Sequence, residues 1–108
     1  MSEMGISVEE GDRGPVVQLT GDLDLPGGDA LEALVTPMIN DGSVVEIDMA
    51  AVEFLDSSGL GALIVLSQLA SEGGGNVVLR DPSKAVMSAL NLTHTADIFT
   101  LKGVDGQP

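Results

Sequence analysis

Glu53-Phe54-Leu55-Asp56-Ser57-Ser58-Gly59-Leu60-Gly61-Ala62 separates two kinds of pattern along the chain. Before it, Val44-Val45-Glu46-Ile47-Asp48-Met49 reads as a strand with alternating polar positions at its far end. After it, Leu60 to Ala70 is apolar on nearly every side, which implies a helix buried against a sheet. Gly73-Gly74-Gly75-Asn76 closes that helix, and Val77-Val78-Leu79-Arg80 reads as the next strand. Strand, helix, strand is a βαβ unit, which implies parallel pairing with a right-handed crossover. The serine pair falls where the helix begins, so Ser57 or Ser58 can cap backbone N–H groups with its hydroxyl. The same place favours a phosphate, because free N–H groups and the helix dipole attract negative charge. A position that holds either a hydroxyl or a phosphoester can act as a switch.

Working outward, Ile6-Ser7-Val8-Glu9 and Val16-Val17-Gln18-Leu19-Thr20 read as strands around a turn at Asp12-Arg13-Gly14, forming an edge hairpin. Gly21-Asp22-Leu23-Asp24-Leu25-Pro26 is expected to leave the sheet as a loop. From Gly28 to about Asn40, Ala30, Leu31, Leu34, Val35, Met38 and Ile39 follow a helical stripe, kinked or ended at Pro37 and stopped by Asp41-Gly42. Asp81-Pro82-Ser83 opens another helix, with Ala85, Val86, Ala89 and Leu90 facing inward. A short turn from Thr93 to Ala96 precedes Ile98-Phe99-Thr100-Leu101. The expected fold is α/β: one compact domain over residues 1–108, a mixed sheet of four to five strands with helices packed on it. Residues 1–4 and 103–108 are expected to be loose termini.

The whole sequence has 108 residues and a formal net charge of −13, with 17 acids against only Arg13, Arg80, Lys84 and Lys102. Phosphate-backbone binding needs clustered cations and base stacking needs aromatics, so a nucleic-acid partner is disfavoured. Attachment to an anionic membrane is disfavoured for the same reason. A protein partner with a basic face suits this charge better, since opposite potentials steer encounter. There is no cysteine, hence no disulfide or cysteine-based metal site. Met1-Ser2-Glu3-Met4 lacks the basic start of a signal peptide, and no apolar run reaches the length of a membrane span. The expectation is a cytoplasmic protein.

Enzyme readings fare poorly. A nucleophile elbow needs Gly-x-Ser-x-Gly, but Leu55 and Asp56 occupy the first glycine's place for either serine. A serine triad would need His94, the one histidine, which reads as a solvent-facing turn residue. The Gly73–Gly75 run precedes a strand, so it is a turn and not a phosphate-binding loop. Asp22-x-Asp24 with Asp29 has part of a calcium-loop pattern, but Ala33 stands where the bidentate acid belongs. Asp22 and Asp24 are then loop acids near a helix start. No metal, cofactor or catalytic residue is expected.

Phe54-Leu55-Asp56-Ser57-Ser58-Gly59-Leu60-Gly61 resembles the signature of the STAS domain family, specifically the bacterial anti-sigma-factor antagonists. Val16-Val17-Gln18-Leu19-Thr20-Gly21-Asp22-Leu23-Asp24 is similar to that family's second strand and loop. Val45–Met49 and Gly75–Leu79 are similar to the strands flanking its switch helix. The resemblance implies that Ser57 is the phosphorylated residue, and that Asp24, Asp56, Ser57, Ser58, Gly59 and Leu60 belong to the partner-binding surface. It also implies an anti-sigma factor with serine kinase activity as partner, and a phosphatase that resets Ser57. ATP and magnesium would belong to the kinase. The alternative is a non-switching STAS subunit of a larger assembly, such as a lipid-transport or stress-signalling complex. The weakest alternative is a hydrolase using Ser57 or Ser58.

Overall fold

The computed structural model describes residues 3–40 and 42–104. Within them are five strands, β1 (Gly5–Glu10), β2 (Pro15–Leu23), β3 (Val44–Leu55), β4 (Asn76–Arg80) and β5 (Thr100–Lys102). Three helices, α1 (Leu25–Val35), α2 (Ser57–Glu72) and α3 (Lys84–Leu92), connect the last four strands in turn. The strands lie in chain order across one sheet. β1 and β2 form the antiparallel hairpin, and every later pair is parallel.

Because β2 to β5 advance in one direction, right-handed crossovers place all three helices over the same sheet face. Leu31 and Val35 of α1, Leu63 and Leu66 of α2, and Val86 and Leu90 of α3 meet Val17, Leu19, Val45, Ile47, Met49, Val77 and Leu79 in one buried cluster. The inward positions expected of α3 therefore hold for Val86 and Leu90, while Ala85 and Ala89 are half-buried.

The other sheet face carries Glu9, Gln18, Glu46, Asp48, Arg80, Thr100 and Lys102, which alternate with the core residues along their strands. They pair across strands. Gln18 donates to Glu9 at 2.8 Å, Arg80 to Asp48 at 3.1 Å, and Lys102 to Glu46 at 3.0 Å. These polar side chains cover Val16 and Val78, which are buried on this face without a helix above them.

The structure redraws four expectations. β2 runs to Leu23, so Gly21, Asp22 and Leu23 are strand and not loop, and Asp22 is buried. α1 starts at Leu25 because Asp24 caps it and Pro26 in the first turn has no N–H to satisfy. Pro37 then turns the chain into a short 3-10 turn over Thr36–Met38. β3 continues past Met49 to Leu55.

The fourth change is at the end of the chain, where Ala96–Ile98 is a 3-10 turn and the strand begins only at Thr100. Of the termini expected to be loose, residues 1–2 and 105–108 lie outside the described residues, and Met4 packs on the core. Asp41, read as part of the helix stop, also lies outside them.

Candidate functional site

β2 and β3 end side by side, with Leu23 opposite Leu55. The next residue in each chain segment is an aspartate, and each aspartate opens a helix. Asp24 accepts a hydrogen bond from the Gly27 amide at 3.0 Å, and Asp56 accepts one from the Gly59 amide at 2.9 Å. Both are extended at the cap position, as an N-cap residue should be. The repeated pattern is Asp-x-x-Gly: Asp24-Leu25-Pro26-Gly27 and Asp56-Ser57-Ser58-Gly59.

The glycines let these two starts come together. A Cβ on Gly59 would overlap the Leu23 carbonyl oxygen. A Cβ on Gly28 would press on the Ala62 Cβ at 3.1 Å and on the Ser58 carbonyl oxygen at 3.3 Å. α1 and α2 thus cross closely at their first turns, fixing Asp24 beside the start of α2.

The cap falls differently from the sequence expectation. Asp56, not Ser57 or Ser58, caps α2, because the carboxylate one residue earlier already occupies the cap position. Ser57 and Ser58 are the first helical residues, and both are exposed. Asp24 and Asp56 are half-buried. Gly59 and Leu60 are buried, Leu60 in the core. Both help to seat α2, at the start of the surface that the resemblance assigns to a partner. Leu25 and Phe54, 60% and 47% exposed, flank the two aspartates in sequence. Sequence reading missed them as surface residues, although Phe54 is one of only two aromatics in the chain.

The arrangement supplies an accessible hydroxyl at the positive end of a helix dipole, next in sequence to the capping Asp56 carboxylate. It places no histidine beside the serine. His94 is exposed beyond the C-terminus of α3, at the end of the helix layer opposite the start of α2. Among the described residues no group of three or more acids and histidines is placed to hold a metal ion. No helix there is long and apolar enough to cross a membrane. A separate concavity on the open sheet face is lined by Glu9, Arg13, Glu46, Arg80 and Lys102. Arg80 and Lys102 are paired there to Asp48 and Glu46.

A five-stranded mixed sheet with helices on one face, and an exposed serine opening the helix after its third strand, define a two-layer α/β domain. The family model described as "Mlab, STAS domain" matches residues 6–103, and the chain belongs to the STAS domain family. It is 21% identical over 98 residues to the anti-sigma-B factor antagonist of Bacillus subtilis, covering 91% of this chain and 90% of the relative. The crystal structure of an anti-sigma factor antagonist from Mycobacterium paratuberculosis matches with 31% identity and a TM-score of 0.76, over 95% of this chain and 88% of that one. The phosphorylated form of the Bacillus cell fate determinant SpoIIAA shares the fold at 19% identity, with a TM-score of 0.71 over 94% of this chain and 93% of that one. By homology the chain falls among anti-sigma-factor antagonists, which are regulatory binding proteins.

Proposed function

We propose that this chain binds an anti-sigma factor with serine kinase activity, frees the sigma factor, and is switched off by phosphorylation of Ser57. The observation that carries this reading is the exposed Ser57 at the first position of α2, beside a cap that does not use its hydroxyl. A kinase can reach such a hydroxyl without unfolding the helix. The phosphate would add about −1.5 to −2 charges. The helix start favours that charge, whereas Asp24 and Asp56 oppose it. A partner packed on Ser57 would have to desolvate the phosphate, so release needs exclusion at the surface and not refolding. A phosphatase would restore the binding form. The chain acts as substrate and ligand, and the chemistry belongs to its partners.

The test uses wild type, Ser57→Ala and Ser57→Asp as baits for a kinase-type ATPase, followed by phosphorylation of the wild type with the recovered kinase. Capture by wild type and the alanine variant but not the aspartate variant, with phosphate incorporated only in wild type, supports the switch. Equal capture by all three overturns it.

One observation favours a second reading. The matching family model is described by the words "Mlab, STAS domain" and not by sigma regulation. Under that reading the chain is a constant subunit of a larger assembly, using the same surface without phosphoryl transfer. Equal capture of one stable partner by all three baits is its expected result.

A further inference from the structure

Two rows of side chains cross the open face of the sheet. Glu9, Val16, Glu46, Val78 and Thr100 stand level in one row, and Ser7, Gln18, Asp48, Arg80 and Lys102 in the next. The three helices lie on the other side, yet a sheet of parallel strands is ordinarily covered on both faces. Charge changes sign across this face. The hairpin side carries Glu9, Glu10 and Asp12 against Arg13, whereas β4 and β5 carry Arg80 and Lys102. Glu46 and Asp48 lie between, held by Lys102 at 3.0 Å and by Arg80 at 3.1 Å.

The concavity between the hairpin and β5 holds about 560 Å³. Its lining takes three of the chain's four cations, Arg13, Arg80 and Lys102, with four of the 17 acids. The other thirteen acids are offset by Lys84 alone. A net charge of −13 sets two copies of this chain against each other over most approaches. Here charge comes near to balance.

We propose that the open sheet face seats a second copy of this chain, in a weak face-to-face dimer. A twofold axis running along the strands reverses the strand order in the facing copy, so β1 lies over its β5. Glu9 then comes to Thr100 and Lys102 of the second copy, and Val16 to its Val78. Packed sheets stand about 10 Å apart, a gap that facing Glu and Lys side chains span. The two Glu46 carboxylates meet near the axis, each already held by its own Lys102. An axis across the strands would instead set the two acidic hairpins together, which charge disfavours. With the helices outside, both Ser57 residues stay exposed at the same end of the pair. The proposal is independent of how Ser57 is read.

The test is sedimentation of the full chain at low and high salt, up to millimolar concentration, with Glu9→Lys and Lys102→Glu variants. Both positions are exposed, and thermal melts check that each variant folds as wild type does. Wild type is expected to dimerise, more tightly at low salt because exposed charges are screened. Each variant alone sets like charges together at both junctions and should weaken the dimer at least tenfold. An equal mixture of the two should recover it, because each junction of the mixed pair again joins a Lys to a Glu. The mixed pair also carries the same total charge as the wild-type pair. The neutral variants Glu9→Gln and Lys102→Gln should weaken the dimer less and flatten its salt dependence. A wild type that stays monomeric overturns the proposal and leaves the face to another occupant or to water. A dimer that both charge variants form as well as wild type overturns it too, since the contact then lies elsewhere. So does a mixture that fails to recover association.

Discussion

Asp24 and Asp56 perform the same task on adjacent helices, each accepting the amide of the glycine three residues ahead, at 3.0 Å and 2.9 Å. They stand one residue past the paired ends of β2 and β3, where the Asp56 amide donates to the Leu23 carbonyl at 3.3 Å. The cap role and the charge of these residues are separable by substitution. Asp56→Ala is expected to cost about 1 kcal/mol, and Asp24→Asn close to nothing, because Asn caps as well as Asp. Urea midpoints check both. Under the proposed function, Asp24→Asn should still change partner affinity, because it removes a charge beside Ser57 without loosening α1.

Two glycines of the same motif should respond in opposite directions. Gly59→Ala drives a methyl into the Leu23 carbonyl and is expected to destabilise by about 2–3 kcal/mol. Gly61→Ala meets open space within a helix and should stabilise by about 0.5–1 kcal/mol. Paired denaturation curves decide this, and equal effects would refute the packing argument.

Ser83 joins α3 to the end of β3. Its hydroxyl donates to the Val52 carbonyl at 2.7 Å and accepts from the Val86 amide at 3.2 Å. Ser83→Ala removes both bonds and is expected to cost about 1–2 kcal/mol. Amide exchange should show the first turn of α3 losing protection first.

How far the fold was legible in the sequence follows from how each segment keeps its period. The βαβ unit and the hairpin were readable because Val45, Ile47 and Met49, like Val17 and Leu19, alternate cleanly. Beyond Met49 the buried residues are Val52 and Leu55, three apart, because the register of β2 on β3 slips twice. A period-two reading therefore ends the strand early. The start of α1 was missed because Leu25-Pro26-Gly27-Gly28 is a poor helix sequence by propensity, rescued by the Asp24 cap and close packing on α2. The start of α2 at the serine pair was legible, but the role of Asp56 as its cap was not, since Asp and Ser are equally good at that position. The exposed side of α2 was invisible because a helix with no charges on any side carries no mark of which face meets water.

Arg80 gives a test on the sheet's open face. Its hydrogen bond to Asp48 holds the guanidinium above its ordinary value, partly opposed by burial and aided by the charges of Asp48, Glu46 and Asp81. A cation whose folded value is raised contributes its stability below the unfolded value and loses it only as pH climbs past the folded one. That window lies in strong alkali, so the deficit of Arg80→Ala should stay constant between pH 6 and 10. The pair is partly exposed and screened, which limits the expected loss to about 1 kcal/mol or less. Urea denaturation across that range measures it.

The two slips between β2 and β3 make residues 50–54 a gauge of length. Residues 16–23 of β2 run beside 46–55 of β3, so β3 takes more residues to reach the same edge. Removing one residue from this stretch would leave the core layers upstream intact, yet bring the chain to the start of α2 one step short. Asp56 would no longer stand level with Asp24, and the serine that follows it would be drawn back with it. The sheet can absorb such a change. The alignment of the two helix starts cannot.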